Sequence, residues 1–289
     1  MNDFYMVLVS NTPSIANNYQ RIENVKDLNK ISEFTTQLPH SIYLGDEEWE
    51  CALSDFSYYH SYYNIEGENA YIIVQKSENF LPIEENNDIH TNFQIHENEC
   101  KIILKDGNLI DGKEIEDILN IALKKIGCQS FFTFSRYTNK ISLTVKNEMI
   151  QLSTFLGNML GFDNLLGNGK QTIGFIHDER HVAIGRNSNI FVPRNSLDFN
   201  IKTHNMFIYC DILQNTLVGG YYHPLLAVIP TKEQNYYMYI TKSFTNRHYI
   251  SLNTKVLSRI KINIKDDQDE NIKFNAGRTL LKLHFRPKS

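Results

Sequence analysis

Cysteine is scarce and scattered: Cys51, Cys100, Cys128 and Cys210 lie far apart with no CxxC pair. That spacing excludes a disulfide framework, and the expectation is reduced, buried thiols in an intracellular protein. The opening stretch MNDFYMVLVSNTPS has a short apolar run but no basic leader, so no signal peptide is expected. No apolar run reaches the roughly 18 residues of a membrane-spanning helix. Heptads and internal repeats are missing as well.

The motifs of catalysis are equally thin. His177 and His181 stand at i,i+4 within HDERH, the spacing of two metal ligands on a helix. Gly174 and Gly185 flank them, there is no HExxH, and no third ligand is in view, so a solvated loop is the expected reading. The run NLLGNGKQ at 164–171 has the Gly-Lys of a phosphate loop, but its leading Gly is absent and Gln171 replaces Ser/Thr. A GxSxG nucleophile elbow is absent. Carboxylates are dense between Glu47 and Glu116, which reads as a solvated strand face rather than a glycosidase acid pair. No enzyme, cofactor or metal is expected, and the lysines near the C-terminus alternate with core residues, as on a sheet exterior rather than a nucleic-acid site.

What the chain has is aromatic weight. It is 289 residues long with 16 Tyr and 17 Phe but one Trp, a bias toward strands over helices. A chain of this length buries roughly three quarters of its unfolded surface and needs no staple. The centre of gravity is residues 48–65, EWECALSDFSYYHSYYNI. Trp49, Cys51 and Leu53 alternate with Glu50 and Ala52, as in a strand with one buried face. Phe56, Tyr58, Tyr59, Tyr62 and Tyr63 follow as a cluster that either fills the seam between two sheets or anchors a subunit contact.

Charge is unevenly spread. Residues 46–117 hold 18 Asp or Glu and 4 Lys, whereas residues 241–289 hold 11 Lys or Arg and 4 acids. For any single residue the expected reading is the charged outer face of a strand. The sharper expectation is an acidic flank that meets a basic one, either within a subunit or between neighbours in a ring, since such flanks set register and partner choice.

In chain order, strands are predicted at 4–10, at 31–38 with a break at Pro39, from Trp49, and at 70–75. Residues 81–98 are polar and acidic and read as loop. Helical spacing then appears at 111–126, with Ile115, Ile118, Leu119, Ala122 and Ile126 on one face, Asp111 as cap and Gly127 after the end. A hairpin at 131–135 and 140–145 turns at Tyr137-Thr138-Asn139, and a short helix at 153–160 stops at Gly161. Residues 165–189 read as irregular. Strands return at 206–213, 225–229 and 236–240. The last two are Ile260, Ile262 and Ile264 between Lys261, Asn263 and Lys265, then Leu281, Leu283 and Phe285 between Lys282, His284 and Arg286. Many short strands predict a mainly β protein, a jelly-roll β-sandwich, with strands mainly in 1–98 and 170–289 and a small α/β insertion over 100–166.

Several stretches also carry a family likeness. Phe34-Thr-Thr-Gln-Leu-Pro, Gly45, Trp49-Glu-Cys-Ala-Leu-Ser-Asp-Phe-Ser-Tyr and Tyr63-Asn64-Ile65 begin the pattern. Asp106-Gly107 and Leu160-Gly161-Phe162 bracket its helical part. Tyr209-Cys-Asp-Ile-Leu, Val218-Gly219, Pro224-Leu-Leu, Ile260-Lys-Ile-Asn-Ile and Phe274-Asn-Ala-Gly-Arg leading to Leu283-His-Phe-Arg286 complete it. Taken together and in this order, they resemble the minor capsid (penton) proteins of Polinton/Maverick elements and adintoviruses. The chain departs from that pattern at Cys51, Phe56, Tyr59 and Ala227.

The resemblance implies a single jelly-roll chain, 1–289, located in the virion and forming homopentamers at the five-fold vertices of an icosahedral double-stranded DNA virus or virus-like element. It implies contact with a major capsid protein built from a double jelly roll, and leaves room for a host receptor or glycan; the alternative class is a glycan-binding β-sandwich attachment module stacking sugars on Tyr58 to Tyr63. A five-fold ring needs two different matching surfaces. Trp49, Phe56, Tyr58, Tyr59, Tyr62, Tyr63, Lys255, Arg259, Lys261, Phe285 and Arg286 are the expected interface or core anchors.

Overall fold

The computed structural model describes residues 2–10, 30–75, 80, 90–109, 111–162, 177–178, 181–184, 189–201, 203–231 and 237–288. In chain order the strands are β1 (Phe4–Val9), β2 (Glu33–Tyr43), β3 (Trp49–Tyr59), β4 (Tyr71–Gln75), β5 (Thr91–His96) and β6 (Glu99–Leu104). Helix α1 (Gly112–Lys125) follows, then β7 (Phe131–Ser135), β8 (Lys140–Val145), β9 (Met149–Ser153) and helix α2 (Thr154–Met159). Next come β10 (His177–Asp178), β11 (His181–Ile184), β12 (Asn189–Phe191), β13 (Asn205–Cys210), β14 (Thr216–Val218), β15 (Tyr221–His223) and β16 (Leu225–Pro230). The chain closes with β17 (Tyr239–Ser243), β18 (Ile250–Ser251), β19 (Val256–Lys265) and β20 (Thr279–Pro287). Two compact units result, one of Met1–Tyr62 with Lys202–Ser289 and one of Tyr63–Ile201.

The first unit is a sandwich of two sheets. One runs β1-β20-β3-β17 with β18 also on β3, the other β16-β13-β19-β2. The antiparallel pairs nest: β1 with β20, β2 with β19, β3 with β17, and innermost β13 with β16. A chain folded back on itself as one long hairpin and then rolled into two sheets gives this order, so the fold is a jelly roll. Its core takes Leu8, Cys51, Leu53, Phe56, Leu281, Leu283 and Phe285 from one sheet, and Phe34, Met206, Ile208, Ile260, Ile262 and Ile264 from the other. The alternation of Ile260, Ile262 and Ile264 and of Leu281, Leu283 and Phe285 puts all six in that core, as their period of two requires.

Two irregularities shape the sandwich. Lys282 faces Asp55 while Leu283 faces Leu53, so Ser54 is an extra residue on β3. This bulge switches the inward parity from Trp49, Cys51 and Leu53 to Phe56 and Tyr58, letting one strand bury both sets. On β2, Gln37 faces Arg259 and Ile42 faces Leu257. Pro39 thus lies within a bulge of an edge strand, where no ladder N–H is needed, and β2 continues through it instead of breaking.

The second unit has its own core. A sheet of order β10-β11-β9-β4-β6-β5 and a smaller one of order β12-β8-β7 provide its strands. Helix α1 begins where Asp111 accepts the Lys113 N–H at 3.0 Å, and it buries Ile115, Leu119, Ala122 and Leu123 while packing against β7 and β8. Ser153 caps α2 by accepting the Leu156 N–H at 3.2 Å.

The boundaries fall at 62/63 and 201/202 rather than at 100 and 166, because β4 pairs with β6 and β9 instead of joining the first unit's sheets. Residues 91–96, expected as loop, form β5: Thr91 and Phe93 are buried, Ile95 is exposed with the polar Asn92, Gln94 and His96, and the ladder to β6 satisfies the backbone. Within the segment expected to be irregular, β10 pairs with β11 and β11 with β9; 165–176, 179–180 and 185–188 lie outside the described residues. The strand expected at 236–240 is β17, shifted to Tyr239–Ser243. Strands β9, β14, β15 and β18 were not evident from the sequence.

Candidate functional site

The aromatic cluster belongs to the interior. Trp49 is buried and donates its Nε1–H to the Leu44 carbonyl at 2.8 Å. Phe4, on the edge strand β1, lies 5.6 Å from Trp49 and stacks at 4.9 Å on Phe285, its partner on β20. Phe56 stacks on Tyr58 at 5.2 Å, and Phe274 meets Tyr58 and Tyr62 edge-on at 6.2 and 5.8 Å. Burial pushes the Tyr58 hydroxyl up to about 12. With Tyr58 and Tyr62 at 1% and 3% exposure, neither ring offers a face to a sugar. Tyr59 is half-buried beside Gly277, where a Cβ would come within 2.4 Å of the Tyr59 Cβ. Tyr63 is partly exposed and lies in the second unit.

Part of the basic flank meets the first stretch of the acidic one, Asp46 to Asp55, inside the chain. On adjacent β3 and β20, Arg286 faces Glu50 and Lys282 faces Asp55 in register. The side chains follow: Arg286 Nε to Glu50 is 2.6 Å and Lys282 to Asp55 is 3.8 Å. Lys288 pairs with Glu48 at 2.8 Å and Lys255 with Asp46 at 3.7 Å. Lys261 reaches Glu33 at 2.7 Å, and its hydrogen bond holds the Glu33 carboxyl below the usual range. Asp55 is lowered too, by the Ser243 hydroxyl first, then by Ser54 and Lys282. Lys265 pairs with Asp269 at 2.8 Å. Of the basic anchors named from sequence, Arg259 is exposed and makes no ion pair among the described residues.

A network on the outer face of the β1-β20-β3-β17 sheet was not legible in the sequence. His284 is buried between the Tyr249 hydroxyl, 2.7 Å from Nδ1, and the Asp3 carboxylate, 3.2 Å from Nε2. The Arg286 guanidinium lies 3.5 Å over the Tyr249 ring while bonding Glu50. These contacts are structural, since they satisfy one another around a strand face.

Exposed apolar side chains mark the remaining surface. In the first unit Leu217, Tyr221 and Tyr222 stand out on the β14–β15 hairpin. The pair Gly219-Gly220 between TLV and YYH is the sequence signal that could have found it, and both glycines have positive φ. In the second unit Phe131 and Ile190 both flank Thr144 on the outer face of the smaller sheet. No group of three or more potential metal ligands occurs among the described residues. His177 and His181 lie on paired strands of a hairpin rather than on one helix face.

The class of protein so defined is a jelly-roll sandwich of a five-stranded and a four-stranded sheet, with a second unit inserted between β3 and β13. No protein-family model matches the chain, and no curated protein matches it. Two solved structures are similar over its full length. One is the crystal structure of SeMet-labelled mavirus penton protein, at 12% identity and TM-score 0.47, covering 100% of both chains. The other is the Sputnik virophage by cryo-EM, at 11% identity and TM-score 0.49, covering 100% of this chain and 98% of that one.

Proposed function

We propose that this chain is a structural capsid subunit: a minor capsid (penton) protein that assembles as a homopentamer at the five-fold vertices and contacts a double-jelly-roll major capsid protein. The observation that carries the reading is where the family-like stretches fall. The stretches beginning at Phe34, Trp49, Tyr209, Ile260 and Leu283 lie on β2, β3, β13, β19 and β20, the paired strands of the jelly roll. In the second unit, Ile65 bridges Gly107, joining two further stretches of the same pattern. The likeness thus tracks one packed framework rather than scattered loops.

A ring built from identical subunits requires two unlike, matching surfaces. Since Lys255, Lys261, Lys265 and Arg286 are neutralised within the chain, a simple flank-to-flank charge contact is a minor part of that match. Exposed pairs of this kind contribute about 0–1 kcal/mol. Arg259 remains available to a neighbour. Co-expression with the major capsid protein of the same element, followed by cryo-EM of the shells, tests the proposal. Density for this jelly roll at the five-fold positions is expected; shells whose vertices lack it would refute the role.

A further inference from the structure

The first unit has an apolar knob and an apolar hole side by side. The knob is the β14–β15 hairpin, whose Leu217, Tyr221 and Tyr222 are 66%, 73% and 72% exposed. The hole is a groove of about 330 Å³ with Leu53, Leu225, Val228, Phe244 and Ile250 in its wall and Thr216, the root of the hairpin, on its rim. It sits where β16, at the end of one sheet, runs beside β18 on β3 of the other. Edge strands of this kind carry unpaired backbone groups and need cover.

We propose that the hairpin of one copy docks into this groove on the next copy, making the principal contact of the ring; the inference rests on the ring-forming role above. Charge pattern favours a second copy as occupant. Residues 212–231, which include the whole hairpin and β16, contain no Asp, Glu, Lys or Arg. None of the residues lining the groove is of those types either. Loss of charge with aromatic enrichment is the mark of an interface core. An acidic or basic partner segment would find nothing to pair with there, whereas the hairpin presents two rings and a leucine.

Volume and area agree with this occupant. A cavity of about 150 Å³ holds a benzene molecule, so the groove has room for roughly one tyrosine ring and a leucine. Burying these hairpin side chains removes on the order of 400 Å² from water. That is about half of the ~800 Å² per partner in a stable interface, so the hairpin acts as the anchor and neighbouring surface completes the contact. The hairpin leaves from the groove's own rim. Close to a ring axis even the one-fifth turn between neighbouring copies displaces a surface point by little, which is enough to bring one knob over the next hole.

The test uses the full chain and three variants: Leu217→Lys, Val228→Asp, and both together, sized by light scattering with folding checked by circular dichroism. Both positions are exposed, so each variant should fold as the parent does. The expected result is a ring for the parent and single chains for each single variant, with the half-assembly concentration raised about a hundredfold or more. The double variant should regain the ring through a new Lys–Asp contact between copies. Rings that persist in both single variants would overturn the hairpin contact and leave the capsid role standing. A two-copy particle that the single variants dissociate would uphold the contact and overturn the ring. A parent that stays a single chain at high concentration would overturn both.

Discussion

Replacing Glu148 by Gln should lower stability in a way that pH reveals. Glu148 is buried, and its two carboxylate oxygens accept the Gln129 N–H at 2.7 Å and the Ser130 hydroxyl at 2.6 Å. The Ser130 oxygen accepts the Lys146 N–H at 3.0 Å, so one side chain ties the entry of β7 to the turn between β8 and β9. Burial alone would raise the carboxyl pKa, yet the Gln129 and Ser130 donors outweigh it and the net direction is downward. Glutamine keeps one acceptor but turns an NH₂ toward a donor. The loss of that bond costs about 1–3 kcal/mol, a fall in melting temperature of several degrees. Because the folded pKa is depressed, this stabilisation is complete above the unfolded value near ~4.3 and is lost as pH falls through the folded pKa. Thermal melts of parent and Glu148→Gln from pH 7 to pH 3 should show a gap that closes below about pH 4. Equal melting temperatures at neutral pH, or a gap that widens on acidification, would refute the reasoning.

Other substitutions probe the rest of the frame. Gly161 follows α2 at φ +82, and a Cβ there would lie 2.3 Å from the Asn195 carbonyl oxygen, so Gly161→Ala should cost roughly 3 kcal/mol or more in chemical denaturation. Phe285→Ala empties a fully buried site beneath Phe4 and should cost about 3–5 kcal/mol, read from the urea midpoint. Lys255→Glu removes an exposed 3.7 Å pair with the Asp46 carboxylate and an exposed 3.2 Å hydrogen bond to the Asp46 carbonyl; its stability should change by less than about 1 kcal/mol, with little dependence on salt above physiological strength.

The sequence shows the sandwich best where burial on one face enforces a period of two. Ile260, Ile262 and Ile264, and Leu281, Leu283 and Phe285, could face only one way. Helix α1 was equally plain, since Asp111 and Gly127 punctuate an apolar stripe. Strand β5 was hidden because TNFQIH buries little beyond Thr91 and Phe93 and reads as polar. The reach of β3 was hidden by the Ser54 bulge, which shifts parity within one strand and makes a single element look like a strand followed by a patch. Which strands share a sheet depends on long-range pairing, so the pattern of residues 71–75 does not by itself show that β4 joins β6 and β9.

The candidate site was legible only in part. The aromatic cluster after Trp49 allowed either a core or an interface, and Phe4 and Phe274, which pack on Trp49 and on Tyr58 and Tyr62, lie far away in the chain. Charge counts suggested matching flanks but not their meeting on β3 and β20, where register sets Arg286 against Glu50. The hairpin at 216–223 has a turn signal in Gly219-Gly220, but its three-residue strands are too short to show a pattern, and nothing local says that its tyrosines stand uncovered.

The mass of the intact assembly in native mass spectrometry tests the central claim most directly. Self-assembly of this jelly roll into a vertex ring predicts one dominant species at five times the 33.7 kDa chain mass. A spectrum holding only single chains at micromolar concentration would contradict it.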